Sequence, residues 1–127
     1  MTKQVTVYGP YSPLRQAGDL YFTAGQVGVD ASTGVADADV RRQAVVALEN
    51  LKTVLATAGL GLDAVVKATL FLADMDDFAV VNEVYLQYFA EPRPARSTVA
   101  VKELPRVAKS GVVRVEIEAV ATGRREA

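Results

Sequence analysis

Pro94-Ala95-Arg96-Ser97-Thr98-Val99-Ala100-Val101 reads as a short β-strand. Alternation sends Ala95, Ser97, Val99 and Val101 to one side and Arg96, Thr98 and Ala100 to the other. Pro94 has no N–H to give to a ladder and so marks the strand's start. Downstream, Val112 to Ala121 forms a closing strand, with Val113, Val115, Ile117 and Ala119 on one face and Arg114, Glu116 and Glu118 on the other. With both apolar sets turned inward, the guanidinium and the carboxylates are expected together on the reverse of one sheet. Such a face must meet water or a partner chain that pairs its charges.

Working outward, Met75 to Ala90 is expected to be a helix capped by Asp74, with Asp76 and Asp77 in its first turn. Phe78, Val81, Tyr85, Tyr88 and Phe89 make its apolar stripe. Val65 to Ala73 reads as a strand that sets Val66, Ala68, Leu70 and Leu72 against Lys67, Thr69 and Phe71. Before it, Val40, Ala44, Leu48, Leu51, Leu55 and Ala58 recur at three- and four-residue steps, which predicts a helix from about Ala38 to Ala58. Asp37 stands where an N-cap is wanted and Gly59 where a left-handed C′ residue is wanted. Nearer the start, Lys3 to Tyr8 reads as an edge strand and Tyr11 to Asp19 as a loop. Leu20 to Val27 reads as a further strand, followed by a turn at Asp30–Gly34. The tail Gly123–Ala127 is expected to fray. Two helices among five strands suit an α+β fold, a mixed sheet with both helices packed on one face. The uncovered face would carry Lys67, Thr69, Phe71, Arg96, Thr98, Arg114, Glu116 and Glu118, a mixture that an oligomer would cover.

The 127 residues fit one domain, 1–127. There is no cysteine, which excludes disulfides and thiolate catalysis and fits a reducing cytoplasm. There is no histidine, so the usual general base and the commonest metal ligand are missing. A formal net charge of −1 gives no electrostatic footprint for nucleic acid or an anionic membrane. No signal-peptide core or membrane-length apolar run is present, and the protein is expected to stay where it is made. Gly59-Leu60-Gly61-Leu62-Asp63-Ala64 satisfies G-x-G-x-x-A, yet it follows a helix and precedes a strand, the reverse of a dinucleotide fingerprint.

From these residues alone, Arg96 has two readings. A guanidinium in a partly enclosed cleft holds a carboxylate by two parallel hydrogen bonds. The plainer reading, and the stronger one on spacing, is an ion pair with Glu116 or Glu118. Glu116 is either a general base, the natural one in a chain without histidine or cysteine, or a partner of Arg114 or Lys67.

Five short motifs tip this balance: GPYS at 9–12, AGQV at 24–27, NEVY at 82–85, PARSTV at 94–99 and VEIEA at 115–119. In this order they resemble the RidA/YjgF family of reactive-intermediate (enamine/imine) deaminases, from about Gly9 to the last strand. The resemblance implies a YjgF-like (chorismate-mutase-like) fold and a homotrimer whose sheets form a barrel with clefts between subunits. It implies hydrolysis of 2-iminobutanoate, 2-iminopropanoate and the tautomer 2-aminoacrylate to 2-oxo acid and ammonia, with neither metal nor organic cofactor. By the same resemblance Arg96 binds the substrate carboxylate and Glu116 is the catalytic acid. Tyr11 closes over the ligand, and Gly25 lets the main chain approach it. Thr98 occupies the family's Cys/Thr position, and Asn82 is the asparagine of the second helix. Ala90-Glu91-Pro92-Arg93 is shorter than the family's usual loop, which bears on specificity. Two rivals stand beside this reading: the endoribonuclease and translation-inhibitor role described for some members, and a non-catalytic binder of small carboxylates.

Overall fold

A computed structural model of the chain describes residues 5–124. Six strands form one mixed sheet: β1 Leu14–Ala17, β2 Leu20–Thr23, β3 Gln26–Val27, β4 Val65–Leu72, β5 Ala95–Ala100 and β6 Val115–Thr122. Two helices, α1 Val40–Ala56 and α2 Phe78–Tyr88, complete it. The order across the sheet is β1-β2-β6-β4-β5, with β3 also paired to β6. Only β4 and β5 run parallel, and α2 makes the crossover that parallel neighbours require. α1 carries the chain from β3 to β4, which lie on opposite edges of β6 and are each antiparallel to it.

Both helices pack on one face. Leu51 and Leu55 of α1, fully buried, meet Leu72 and Ile117 of the sheet in the main core, joined by Val81, Val84 and Tyr85 of α2. Each such side chain contributes about 1.5–3 kcal/mol by leaving water. A smaller core of Val27, Val29, Ala36, Leu104 and Val113 lies where the segment after β5 folds over one end of the reverse face.

The helices, β4, β5 and β6 stand where periodicity places them, with edges trimmed. The cap of α1 is Asp39 and not Asp37. Asp39 accepts from the Arg41 N–H at 2.9 Å, while Asp37 is spent on the Asp39 N–H at 2.8 Å in a local turn. Gly59 does end this helix with φ +73. The Asp74 carboxylate accepts from the Asp76 N–H, but the first turn, Met75–Asp77, is 3₁₀ and the α-helix begins at Phe78. Val66 faces solvent, because an irregularity between Val65 and Lys67 shifts the alternation there.

Four expectations fail, three at the N-terminal side and one before β6. Val5–Tyr8 form no strand, and residues 3–4 of that expected segment lie outside the described residues, as do 125–127 of the tail. Leu14–Ala17, expected as loop, pairs with β2 in a hairpin turned by Gly18 at φ +59. The expected Leu20–Val27 strand breaks at Ala24–Gly25, where the Thr23 hydroxyl takes the Ala119 N–H at 3.0 Å. Residues 112–114 precede β6, and Arg114 turns from the sheet to make a two-pronged pair with Asp77, 2.8 Å on each oxygen.

That junction is held by a residue no motif singled out. Gln43 of α1 is fully buried; its amide nitrogen donates to the carbonyls of Asp37 and Val112 at 2.7 Å, and its oxygen accepts from the Arg114 N–H at 2.8 Å. Gln43→Ala would orphan three backbone groups. We expect a loss of about 3 kcal/mol or more, seen as a melting temperature lower by on the order of 10 °C; an unchanged melt would contradict the account of this junction.

Candidate active site

Across neighbouring strands, residues in register point to the same face. Arg96 pairs with Ala68, and Ala68 with Ala119; both alanines are buried beneath the helices. Glu116 pairs with Phe71 on one side and Val27 on the other, on the reverse face. The sheet therefore corrects the expectation that both groups share its outer face. Arg96 and Thr98 face α2, Glu116 and Glu118 face away, and β4 lies between their strands. They do not converge within one chain.

Each group instead sits in a cluster of its own. On the helix side, Arg96 donates to the Asn82 side-chain oxygen at 2.6 Å. Its guanidinium carbon lies 4.6 Å from the Tyr85 ring centroid and 5.7 Å from that of Phe78. No carboxylate among the described residues pairs with it, so the ion-pair alternative fails. The Thr98 hydroxyl, next on the same face, is buried without a hydrogen-bond partner among the described residues. A buried group left so is costly, which makes it a waiting donor or acceptor. Tyr85 and Phe78 were legible only as apolar stripe. The missed signal was Asn82 between them, since Phe78, Asn82 and Tyr85 fall at i, i+4 and i+7.

On the reverse side, Glu116 opens into a cleft of about 250 Å³ lined by Tyr8, Tyr11, Ala24, Gly25, Val27, Pro105 and Val107. Burial, with the Glu118 charge second, pushes the Glu116 carboxyl above its ordinary range. Neither expected partner holds it. Arg114 is committed to Asp77, and the Lys67 ammonium donates to the Ser97 hydroxyl at 2.9 Å. Gly25 lies against this carboxylate so closely that a Cβ there would collide with Glu116. Tyr11 is half-exposed over the cleft, its hydroxyl oxygen accepting from the Tyr8 N–H at 3.2 Å. The structure thus brings Tyr11, Gly25 and Glu116 together, brings Arg96, Asn82 and Thr98 together, and keeps the two sets apart. No group of His, Cys, Asp or Glu able to hold a metal occurs among the described residues. No helix among them is long and apolar enough to cross a membrane.

Comparison with known proteins gives the family. A family profile described as Endoribonuclease L-PSP matches residues 1–123. The RutC family protein PH0854 of Pyrococcus horikoshii is 46% identical over 114 residues, 89% of this chain and 86% of the relative. A Salmonella typhimurium protein named 2-iminobutanoate/2-iminopropanoate deaminase is 42% identical over 119 residues, 91% of this chain and 89% of that one. The crystal structure of Escherichia coli TdcF with bound serine superposes with a TM-score of 0.83 at 41% identity, covering 94% of this chain and 91% of TdcF. With a profile spanning nearly every residue and relatives above 40% identity, the chain belongs to the Endoribonuclease L-PSP family, known equally as RidA/YjgF.

Proposed function

We propose that the protein is a homotrimeric deaminase of reactive 2-imino acids and their enamine tautomers, with each active site shared by two subunits. The observation that carries this reading is the split itself. A carboxylate-seeking arginine without an ion partner among the described residues occupies one face, and a carboxylate with a raised pKa occupies the other. Two copies side by side join the halves that one chain separates. The reverse face also leaves Leu20, Phe22 and Val99 exposed, apolar area that a closed assembly would cover.

In this assembly Arg96 of one subunit holds the substrate carboxylate, helped by Asn82 and Thr98. The Tyr11–Gly25–Glu116 cleft of the next subunit surrounds the imine carbon. Glu116 takes a proton from a water as the water's oxygen bonds to C2 and the C=N electrons move to nitrogen. The same carboxyl returns that proton to nitrogen, giving a carbinolamine. It then takes the new hydroxyl's proton and passes it to nitrogen as the C=O forms and the C–N bond breaks, so that 2-oxo acid and ammonia leave. Fixing a short-lived electrophile beside an oriented water lowers the entropic part of the barrier. The relative in Salmonella carries the name of this activity. Against the family's ribonuclease description stands the Glu116–Glu118 pair, whose charges repel a phosphodiester.

The test generates imino acid with an amino-acid oxidase and traps it as the semicarbazone. The protein is expected to deplete the trapped species, and failure to do so would overturn the reading. Gly25→Ala is a sharper probe, since its methyl would push the Glu116 carboxylate aside. A displacement near 1 Å costs roughly 10²-fold in turnover. Thermal stability should change little, because the displaced carboxylate has no hydrogen-bond or ion-pair partner among the described residues to lose.

A further inference from the structure

Phe78, Asn82 and Tyr85 occupy one face of α2, and that face meets β5 at Arg96. Both rings lie within the roughly 6 Å over which a π face attracts a cation. The Asn82 oxygen takes one N–H of a guanidinium that has five, so most of its donors stay unspent. Structural arginines are ordinarily held by a carboxylate, which fixes them but also neutralises them. Here two rings and an amide restrain the plane of the group and leave its charge unneutralised.

We infer that Tyr85 and Phe78 are positioning residues that orient Arg96 for an incoming carboxylate, and that the Tyr85 ring, not its hydroxyl, does this. The hydroxyl is buried and has no hydrogen-bond partner among the described residues. The ring is braced from behind by Phe89, with centroids 4.4 Å apart and planes at 29°. Tyr85 itself is 4% exposed, so it cannot swing away, whereas Phe78 is 39% exposed and closes the outer side. Burial raises the Tyr85 phenol above its ordinary pKa, outweighing the Arg96 and Arg93 charges that lower it. A merely structural tyrosine would support α2 without constraining Arg96.

The inference deepens the deaminase reading and rests on it for its kinetic consequence. A clamp on a ground-state contact acts on KM more than on kcat. The experiment pairs the imine assay with the Arg96 Nε–Hε resonance in a ¹⁵N spectrum of the whole protein, assigned by its disappearance in Arg96→Ala. The clamp predicts a ring-shifted resonance that Tyr85→Phe keeps and that Tyr85→Leu and Phe78→Leu move toward the position of a free arginine. Tyr85→Leu should raise KM about tenfold with kcat within about twofold, and Tyr85→Phe should rescue that loss. Should Tyr85→Leu fail to fold, Phe78→Leu, at a half-exposed site, carries the same test. An unshifted Arg96 resonance in folded Tyr85→Leu and Phe78→Leu would overturn the inference, as would equal damage from Tyr85→Phe and Tyr85→Leu. The spectrum decides the clamp whether or not the wild type turns over imine, so failure of the deaminase reading is told apart from failure of the clamp.

Discussion

Arg96→Ala is expected to yield a folded, assembled protein whose kcat/KM for imino acid is lower by about 10²–10³-fold, the usual cost of removing one side of a charged, hydrogen-bonded pair. The size follows from what Arg96 does not do. With no carboxylate partner among the described residues, its guanidinium is reserved for something outside the chain. Removing it strands no buried anion, only the Asn82 amide oxygen in a partly open setting. Folding should therefore be nearly untouched, with a melting temperature within a few degrees of wild type. Semicarbazone depletion and a thermal melt on the same preparation check both halves. Full activity in the variant would remove Arg96 from the site. A collapsed melt would reassign it to structure.

Glu116→Gln is expected to keep carboxylate binding and to lose turnover by about 10²–10⁴-fold, the range that a positioned acid–base group supplies. Binding of a non-reactive 2-oxo acid by calorimetry, set beside the depletion assay, separates the two effects. Retained turnover would point to a binder or to a different base. The pH profile carries a second signature. Burial first and Glu118 second raise the Glu116 carboxyl, so activity should fall toward acid at a pH above that of an ordinary glutamate. Glu118→Gln, by removing the neighbouring charge, should move that limb to lower pH. Stability follows the same shift. A carboxyl whose pKa is higher folded than unfolded favours the folded state while protonated. That contribution is complete below the unfolded value and is lost as pH rises through the folded one. Wild type should therefore lose ground to Glu116→Gln as the pH rises from about 4 toward neutrality, a cost consistent with a site kept for chemistry.

Most of the fold was legible where one face of an element is strongly apolar. Val115, Ile117, Ala119 and Ala121 leave β6 no choice of side, and the stripe of α1 leaves that helix none. β5 has no such bias. It is an edge strand in which Ala95, Ser97 and Val99 are no more apolar as a set than Thr98 and Ala100 with the stem of Arg96. Parity alone then cannot say which side is inner, and the register with β4 decides it the other way. The hairpin strand β1 was missed for a related reason. Leu14-Arg15-Gln16-Ala17 buries little, and what holds it is pairing with β2. Of the site, the six residues implied by family resemblance all fall in the two clusters. Their division between opposite faces is a property of sheet order, which no tetrapeptide encodes. Tyr85 and Phe78 were hidden because a ring that grips a cation and a ring that fills a core share the same helical spacing.

The shared site is tested most directly by mixing two inactive proteins. Arg96→Ala and Glu116→Gln subunits, unfolded and reassembled together, should regain roughly a quarter of wild-type activity. If a site draws Arg96 from one subunit and Glu116 from the next, random mixing leaves about one interface in four with both groups intact. A mixture as inactive as its components, in assemblies shown by native mass to contain both subunits, would mean that no site is built across the boundary.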